Sequence, residues 1–581
     1  MSTQRFPFHS YRSTVILAVL VSMLSLPAAC GTSAEKGEFR RLTVTEYVDK
    51  MKAGWVGQMV GVGWGAPTEF RWRGEIIPED RVPKWKPEMV NQFGQDDIYV
   101  EMTFIKSLEE YGVDVSMRQA GIDFANSGYP LWHANRAGRD LLRDGIAPPD
   151  SGHPEFNSHA DDIDYQIEAD FSGLVSPGMP NEVIRLGEIF GRLMNYGDGL
   201  YGGQFVGCMY AEAFFEDDVH KIIAAGLECI PEESRYAETI RDVVKWHDMN
   251  PDDWQKTWQL IEDKYQKNPD NRLFSCNTGL FNIDAKINGA YIVMGLLYGN
   301  GDIEATSVIS MRAGQDSDCN PSNALGVLFT AKGLEAIPDE YKSALEESTK
   351  FSHTAYDFAG LTEVGIDLVR AQVLRAGGRI EIDDAGEEAF VIPVRPAQPS
   401  ALEQSWEPGP GADSTFTSEE MARIDPPEDI KASIPPGLVN ISKDVETFAP
   451  GWGIKACGDH MDPGIREEVN GRSNVLITHP VDEESPALLY REYAVPEGTK
   501  AVLHLEVGHH PDGDWQLGVA AGEDRLLSEN IGAASTQDGW AEFRFDLSEY
   551  AGDYVWLLLT NGANGGDNEA ARWARIEIVN E

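Results

Sequence analysis

Apolar residues recur at helical spacing through the first two thirds of the chain. From about residue 42 to 377, most segments carry apolar side chains three or four positions apart, as they do on one face of a helix. Clear examples are 182–195, 218–230 and 324–337. Glycines separate these segments, and strand-like alternation is scarce. The pattern predicts an all-α domain, which we bound at 38–380.

The pattern changes after residue 378. Nine prolines between 393 and 436 predict an extended connector at 381–438. Beyond it the chain alternates with period two, and Leu503, Leu505 and Val507 share one face of a strand. Turn residues separate several such runs. The chain is therefore predicted to be multidomain, with a C-terminal β-sandwich at 439–581.

The first 30 residues have the features of an export signal peptide. Two arginines precede an apolar run at 15–26, which is too short to span a membrane in the mature protein. The run ends in small residues before Cys30, as in bacterial lipoproteins that are lipidated on such a cysteine. We expect a periplasmic or cell-surface lipoprotein, with plain secretion as the alternative. Any contact with a membrane is then through a lipid on Cys30.

Charge and cysteine content narrow the function classes further. The 581 residues carry a formal net charge of −47, which repels nucleic acid and excludes it as a partner. It also disfavours a polyphosphate substrate unless basic residues gather locally. The cysteines show no C-x-x-C pair, so they predict neither a zinc ribbon nor a disulfide framework. Cys208, Cys229 and Cys276 are predicted to be buried free thiols.

Two acidic clusters carry the candidate chemistry. The sequence GQDDI at 94–98 and the sequence GQDSDCN at 314–320 each precede a helix-like segment. Helix capping explains one acid at each helix entrance. Two aspartates at alternate positions repel each other, however, and suit a hard cation such as Mg²⁺ or Mn²⁺. The four carboxylates belong to Asp96, Asp97, Asp316 and Asp318.

A glycine-rich segment is the third notable element. Gly57, Gly61 and Gly65 are spaced by four, which gives a helix face that lets another backbone approach closely. The segment lacks the Gly-Lys-Ser/Thr ending of a phosphate loop and the preceding strand of a dinucleotide fold. It ends at Glu69, and Arg71 follows.

Together the three elements resemble the ADP-ribosylglycohydrolase family of the dinitrogenase-reductase-activating glycohydrolase type. That family has a glycine-rich helix reading G-x-x-x-G-D-A-x-G-x-P-x-E, then T-D-D-T, and finally G-x-D-x-D-T. The matching segments here are 57–69, 95–98 and 314–319, in the same order. The resemblance covers about residues 42–377 and implies an all-α fold with a central site for one or two Mg²⁺ or Mn²⁺ ions.

The resemblance also implies roles for individual residues. Glu69 matches the acidic residue near the scissile bond, where a carboxylate suits proton transfer. Asp97 is expected to act in catalysis as well as in metal binding. The implied metal ligands are Gln95, Asp96, Asp97, Asp316, Asp318 and Cys319.

The chain departs from the family pattern at four positions. Gln95 and Ile98 replace the two threonines of T-D-D-T, and Val62 replaces the aspartate of the glycine-rich motif. Cys319 stands where the family has a threonine ligand. Because a thiol is a poor ligand for Mg²⁺, these changes favour a single metal ion or a softer metal.

A polar stretch between the motifs supplies candidate substrate contacts. Its acids and amides suit sugar hydroxyls, although a solvated helix face has the same composition. Arg71 is a candidate for binding an anionic group, with an exposed loop as the alternative. The candidate substrate-binding residues are Arg71, Asn157, Asp161, Asp162 and Asp170.

In the sandwich, Trp515, Trp540, Trp556 and Trp573 are either core residues or a sugar-stacking platform.

The signal-like N-terminus and the family resemblance together lead us to expect an exported, metal-dependent glycohydrolase. It is expected to cleave an N- or O-glycosidic bond at the anomeric carbon of an ADP-ribosyl-like or ribosyl substrate. Two alternatives remain: a secreted glycoside or nucleoside hydrolase acting on extracellular sugars, and a non-catalytic carbohydrate-binding surface protein. The expected partner is a small molecule or a glycan.

Overall fold

The computed structural model describes most of the chain. It covers residues 38–580, apart from 269–270, 273, 276–279, 426–440, 455–456, 459, 482–484, 497, 499, 523, 553 and 565–567. The predicted signal peptide with Cys30, and Cys276, lie outside the described residues. Among the described residues, no helix combines the length and apolarity needed to cross a membrane.

The N-terminal part is helical, as the apolar periodicity predicts. The three helices expected at 182–195, 218–230 and 324–337 are present, with shifted ends. The third helix begins at residue 319, five residues before its expected start, directly after the last acid of the second acidic cluster. The helices are α1 (Val44–Gly65), α2 (Asp96–Tyr111), α3 (Met117–Ala125), α4 (His133–Arg143), α5 (Asp164–Ile167), α6 (Asp170–Leu174), α7 (Pro180–Phe190), α8 (Asp198–Ala213), α9 (Val219–Glu228), α10 (Arg235–Met249), α11 (Trp254–Ile261), α12 (Ala285–Gly299), α13 (Ile303–Arg312), α14 (Cys319–Lys332) and α15 (Phe358–Arg375).

Helices α1 and α14 pack directly backbone to backbone at the centre of this domain. A Cβ atom added at Gly57 would lie 2.5 Å from the carbonyl oxygen of Leu325, and one at Gly61 would lie 2.3 Å from that of Pro321. The glycine face predicted from the sequence is therefore the surface that meets α14. Because the second acidic cluster leads into α14, this contact fixes that cluster against the end of α1.

A small sheet adds two strands to the predicted all-α domain and crosses its boundary at residue 380, and a packed segment follows in the predicted connector. Strand β1 (Phe39–Thr43) pairs antiparallel with β3 (Glu388–Pro393), and β3 pairs with β2 (Arg379–Ile382). Farther along, Trp406 lies under the guanidinium of Arg235 at 3.9 Å from the ring centroid. The prolines suppress regular structure but do not detach the segment, because its side chains still find partners on the helices. A short helix follows at Ser418–Met421.

The C-terminal region forms two antiparallel five-stranded sheets, after a short helix at Ser442–Phe448. Their strand orders are β10-β9-β12-β7-β4 and β11-β8-β13-β6-β5. Apolar side chains from both sheets share one core, as in a sandwich. The strands are β4 (Gly453–Ile454), β5 (Gly464–Val469), β6 (Arg472–Thr478), β7 (Ala487–Ala494), β8 (Ala501–His509), β9 (Trp515–Ala521), β10 (Asp524–Ile531), β11 (Trp540–Asp546), β12 (Tyr554–Gly562) and β13 (Ala571–Asn580).

Strand β8 is buried on both faces, which differs from the alternation expected of it. Strand β8 lies between β11 and β13 in its sheet. On the face that carries Glu506, Arg472 covers the strand, and its Nε donates to the Glu506 carboxylate at 2.7 Å. Trp515, Trp540 and Trp573 are buried, so their core interpretation is confirmed. Trp556 is half-buried and lies beside Tyr490, 6.0 Å between ring centroids.

The prediction of free thiols at Cys208 and Cys229 is wrong. The two residues form a disulfide that links the middle of α8 to the end of α9. Each cysteine falls on an apolar helix face, so the sequence predicts that both are buried. Their pairing depends on how α8 and α9 pack against each other, which the sequence pattern does not show. Among the described residues, Cys319 and Cys457 are free and buried.

Replacing both Cys208 and Cys229 by Ala is expected to lower the free energy of unfolding by about 3 kcal/mol. The disulfide closes a loop across a sequence separation of 21 residues, and such a loop restricts the unfolded chain by about that amount. Denaturant unfolding of both proteins measures the difference. Reduction of the wild type is expected to give the same loss, and equal stabilities would contradict the prediction.

Candidate active site

The two acidic clusters meet in one cleft. Asp96 and Asp97 open α2, whereas Asp316 and Asp318 lie in the turn before α14, yet the thiol of Cys319 lies 3.4 Å from Oδ2 of Asp97. One ligand atom each from Asp316, Asp318 and Cys319 lies within 4.8 Å of the others. The cleft has a volume of about 360 Å³ and is also lined by Gln95, Asp96 and Glu69. Residues more than 200 positions apart thus converge.

A tight turn delivers the second cluster. Gly314 has a φ of 83° and Gln315 a φ of 56°, which reverses the chain just before Asp316. Main-chain hydrogen bonds hold this turn in both directions: Gln315 N–H donates to Trp72 O at 2.9 Å, and Phe70 N–H donates to Gln315 O at 3.0 Å. The segment that carries Glu69 is therefore fixed beside the acidic turn.

The helix-cap interpretation does not account for these acids. The N-cap of α2 is Gln95, and its side chain makes no capping hydrogen bond. Asp318 is the N-cap of α14 and also makes no such bond with its side chain. The carboxylates are therefore turned toward one another at the two helix N-termini, where the helix dipoles favour negative charge.

The carboxylates raise one another's pKa values. Burial, with repulsion from Asp318, raises the pKa of Asp96 to about 6. Burial, then the charges of Asp96 and Asp318, raises the pKa of Asp97 well above its usual range. Burial raises the pKa of Glu69 to about 8, and Asp318 and Asp96 add to this shift. Without a counter-charge, the site holds protons at neutral pH.

Metal-free protein is expected to lose stability as the pH rises. A carboxyl group whose pKa is raised by folding stabilises the fold below its unfolded pKa of about 4, and this stability is lost as the pH passes through the folded value. The values for Asp96 and Glu69 put that loss between pH 4 and pH 8. Differential scanning calorimetry of chelated protein should show the melting temperature falling across this range.

Saturating Mn²⁺ is expected to reduce that slope, because a bound cation keeps the carboxylates ionised. Burial also raises the pKa values of Asp164 and Asp170, to about 8 and about 7, so part of the slope should remain. A melting temperature of the chelated protein that rises steadily from pH 4 to pH 8 would contradict the prediction.

Apolar and aromatic side chains form the walls of the cleft. The rings of Phe70 and Phe281 lie 4.9 Å apart between centroids, and Trp132 is 52% exposed at the rim. Such rings stack against flat or apolar faces of a ligand. The other lining residues away from the acids are His133, Ile163, Asp164, Ile167 and Ile283.

Three residues predicted to bind substrate are buried and are not among the residues that line the cleft. Asn157 is buried, and its amide donates to main-chain carbonyl groups, such as Met194 O at 3.0 Å. Asp161 is buried beside the ammonium group of Lys286, 3.5 Å away. Asp170 is buried and accepts from Tyr210, Gln58 and Asn323. Their polar side chains bond to other parts of the domain. Such internal contacts use the same residue types as ligand binding, so the sequence does not distinguish the two roles.

The remaining two candidates differ in exposure. Arg71 is exposed and is not among the residues that line the cleft. Its neighbour Arg73 lies 5.0 Å from the centroid of the Phe281 ring. Asp162 is fully buried, and its carboxylate accepts from His159 Nδ1 at 2.8 Å. Asp162 does not line the cleft either, but Ile163 and Asp164, which follow it in the chain, do.

Sequence reasoning missed Trp132, His133, Phe281 and Ile283. Trp132 and His133 lie where the chain enters α4, and Phe281 lies in a loop before α12. None of them belongs to a recurring spacing, so no periodic signal identifies them.

Comparisons with known proteins add a family and several remote structural matches. The family model described as ADP-ribosylglycohydrolase matches residues 43–372. Among solved structures, one described as an ADP-ribosylglycohydrolase-related protein complex is 13% identical, with a TM-score of 0.36, and the match covers 57% of this chain and 98% of that one. No curated protein matches the chain.

Two further structural matches have lower TM-scores. An apo form cyclase from Fischerella sp. is 14% identical, with a TM-score of 0.17, over 22% of this chain and 72% of that chain. A CBM35 from Paenibacillus barcinonensis is 12% identical, with a TM-score of 0.16, over 22% of this chain and 86% of that chain. The family match spans more than half of the chain, and these two matches add no functional assignment.

Proposed function

The chain belongs to the ADP-ribosylglycohydrolase family and is a hydrolase of glycosyl bonds, and from this premise we propose a more specific activity. In this proposal the protein is an exported glycohydrolase that depends on a divalent metal ion. It cleaves an N- or O-glycosidic bond at the anomeric carbon of a ribosyl or ADP-ribosyl-like substrate. The observation that carries this proposal is the convergence of Asp96, Asp97, Asp316 and Asp318 beside Glu69 in one cleft.

The acidic residues fit a divalent cation. Asp97 and Asp316 are buried, and Oδ1 of each has no hydrogen-bond partner within the described residues. Buried carboxylate oxygens without partners are unfavourable unless a cation or a proton neutralises them. The donor set is dominated by carboxylates, with the amide oxygen of Gln95 nearby, and it suits Mg²⁺ or Mn²⁺. When bound, such an ion polarises sugar oxygens and lowers the pKa of a water molecule.

The chain's own residues supply the remaining requirements for hydrolysis. Glu69 lies at the open side of the acidic cluster, and its raised pKa suits proton transfer near neutral pH. Phe70, Phe281 and Trp132 give the ligand flat surfaces to stack on. Ile163, Ile167 and Ile283 make the floor apolar, which limits water near the reacting bond.

A second candidate substrate class is a neutral extracellular glycoside. Among the residues described as lining the cleft, none is Lys or Arg, and the chain's charge of −47 repels phosphates. A diphosphate would have to rely on bound metal ions or on Arg73 near Phe281. This lining favours an uncharged sugar more than it favours ADP-ribose.

Export is supported by the disulfide between Cys208 and Cys229. Disulfides persist in oxidising compartments such as the periplasm and are rare in a reducing cytosol. The predicted signal peptide agrees with this location.

Hydrolysis assays test the proposed function. Chelated protein is offered an ADP-ribosylated peptide and neutral nitrophenyl ribosides and hexosides, with Mn²⁺, with Mg²⁺ or with neither. We expect turnover of at least one class that depends on added metal. Cleavage of neutral glycosides alone would select the second candidate. Turnover unaffected by the chelator would contradict the proposed metal dependence. No turnover under any condition would contradict the proposed activity and favour a non-catalytic sugar-binding protein.

Replacing Cys319 by Thr is expected to raise Mg²⁺ and Mn²⁺ affinity by about tenfold. The thiol lies 3.4 Å from Asp97 Oδ2 and 3.9 Å from Asp318 Oδ1, so a hydroxyl there would add an oxygen donor among the carboxylates. Tenfold corresponds to about 1.4 kcal/mol. Calorimetric titration of both proteins measures this difference. Unchanged or weaker binding would mean that Cys319 only packs at the start of α14.

A further inference from the structure

A second group of metal-ligating side chains includes one residue of the cleft lining. His133, His159 and Asp162 each offer one ligand atom, and these atoms all lie within 4.8 Å of one another. Nδ1 of His159 is 2.8 Å from Asp162 Oδ2, and Nδ1 of His133 is 3.9 Å from the same oxygen. The group shares no residue with the aspartate cluster, and His133 faces the same cleft.

We propose that these three residues bind a transition-metal ion of the Zn²⁺ type, separately from the carboxylate site. Two imidazoles and one carboxylate form a donor set that Zn²⁺ uses in catalytic sites with an open coordination position. Nitrogen donors distinguish this set from the carboxylates beside Glu69, which suit harder cations. The chain would therefore hold two chemically different metal sites along one cleft.

Two histidines that converge on one carboxylate oxygen fit a metal site better than a simple ion pair. One imidazole is enough to hydrogen-bond Asp162, and His159 already does so. His133 is nevertheless held near the same oxygen by a backbone with a φ of 43°, which is unfavourable for a residue other than glycine. The side chains of His133 and His159 are 21% and 31% exposed, so an ion can reach them from solvent.

The surrounding main chain keeps the three donors in place. Asp162 N–H donates to His159 O at 2.9 Å, and Asp162 O accepts from the amide of Asn195 at 2.8 Å. The first turn of α4, which begins with His133, is tied to Asp164 because Asn135 N–H donates to its carboxylate at 3.0 Å. Ligands fixed in this way are preorganised, so binding orders little of the chain.

Zinc titration of the full chain tests this proposal. The protein carries Cys319→Thr to remove the thiol from the cleft, and excess Mg²⁺ fills the carboxylate site. We expect one equivalent of Zn²⁺ to bind. Adding His133→Ala or His159→Ala should weaken this binding by at least about 100-fold, because each removes a direct ligand.

A matched control is available elsewhere in the domain. His247 has the ring of His220 5.5 Å away and Asp248 Oδ1 3.8 Å from its Nδ1, but these three do not converge as a ligand group. His247→Ala should therefore leave Zn²⁺ binding unchanged. Circular dichroism establishes that each variant is folded.

Zinc binding that survives both His133→Ala and His159→Ala would overturn the proposal and reduce the group to a hydrogen-bonded pair. If the variants do not fold, X-ray absorption at the zinc edge of the Cys319→Thr protein decides. Two imidazole ligands would support the site, and a shell of oxygen ligands alone would overturn it.

Discussion

Replacing Asp97 by Asn is expected to lower turnover by about 10³-fold or more and to weaken binding of Mn²⁺ and Mg²⁺. Asp97 is fully buried, and its carboxylate lies at the junction of the two acidic clusters. Stabilisation of transition-state charge by a metal ion is worth several kcal/mol, and each 1.36 kcal/mol corresponds to about tenfold in rate. Steady-state kinetics and calorimetric titration measure the two losses.

The same substitution should raise the melting temperature of the metal-free protein. Burial and repulsion from Asp96 and Asp318 raise the pKa of Asp97, so the carboxylate destabilises the empty fold. An amide of the same shape is neutral at every pH, so its burial requires no proton uptake. Asp80→Asn, at an exposed position, serves as the control. It should change neither turnover, nor metal affinity, nor the melting temperature of the metal-free protein. Normal turnover in the Asp97→Asn protein would remove this residue from the mechanism.

Replacing Glu69 by Gln is expected to lower kcat by about 10²–10⁴-fold, the contribution typical of a positioned acid or base. Metal binding should change little, because Glu69 lies at the open edge of the carboxylate group rather than between its members. The limb of the pH–rate profile that depends on this carboxyl should also disappear.

The combination of a large loss in kcat with nearly unchanged metal affinity separates Glu69 from the proposed ligands. Glu75→Gln is a matched control, because Glu75 is exposed on the same segment. An unchanged rate for Glu69→Gln would exclude it as the proton-transfer group, and equal losses of metal affinity and rate would make it a ligand.

The sequence predicts those parts of the fold in which a residue pattern has one common structural explanation. Glycines spaced by four, as at Gly57 and Gly61, mean close packing of a helix, and they do contact α14. Two acids on alternate positions, as at Asp316 and Asp318, repel unless something gathers them, and the structure brings them beside Asp97. The period-two pattern likewise locates the C-terminal strands.

Other features depend on partners that are distant in sequence. Asp170 and Asp162 are both buried acids from one polar stretch, yet Asp170 accepts from Asn323 whereas Asp162 pairs with His159. Cys208 and Cys229 each look like a small apolar residue until α8 and α9 are packed together. Phe281 joins the cleft through a loop with no periodicity. Tertiary packing decides these roles, and local patterns do not encode it.

The central claim is that the carboxylates of Asp96, Asp97, Asp316 and Asp318 together hold a divalent cation. Diffraction from crystals soaked in Mn²⁺, with anomalous differences measured near the manganese edge, tests it most directly. We predict an anomalous peak within about 2.6 Å of carboxylate oxygens from both clusters, a distance that includes Mn²⁺–oxygen bonds. Crystals with saturating Mn²⁺ in their solution and no anomalous peak between α2 and α14 would contradict the claim.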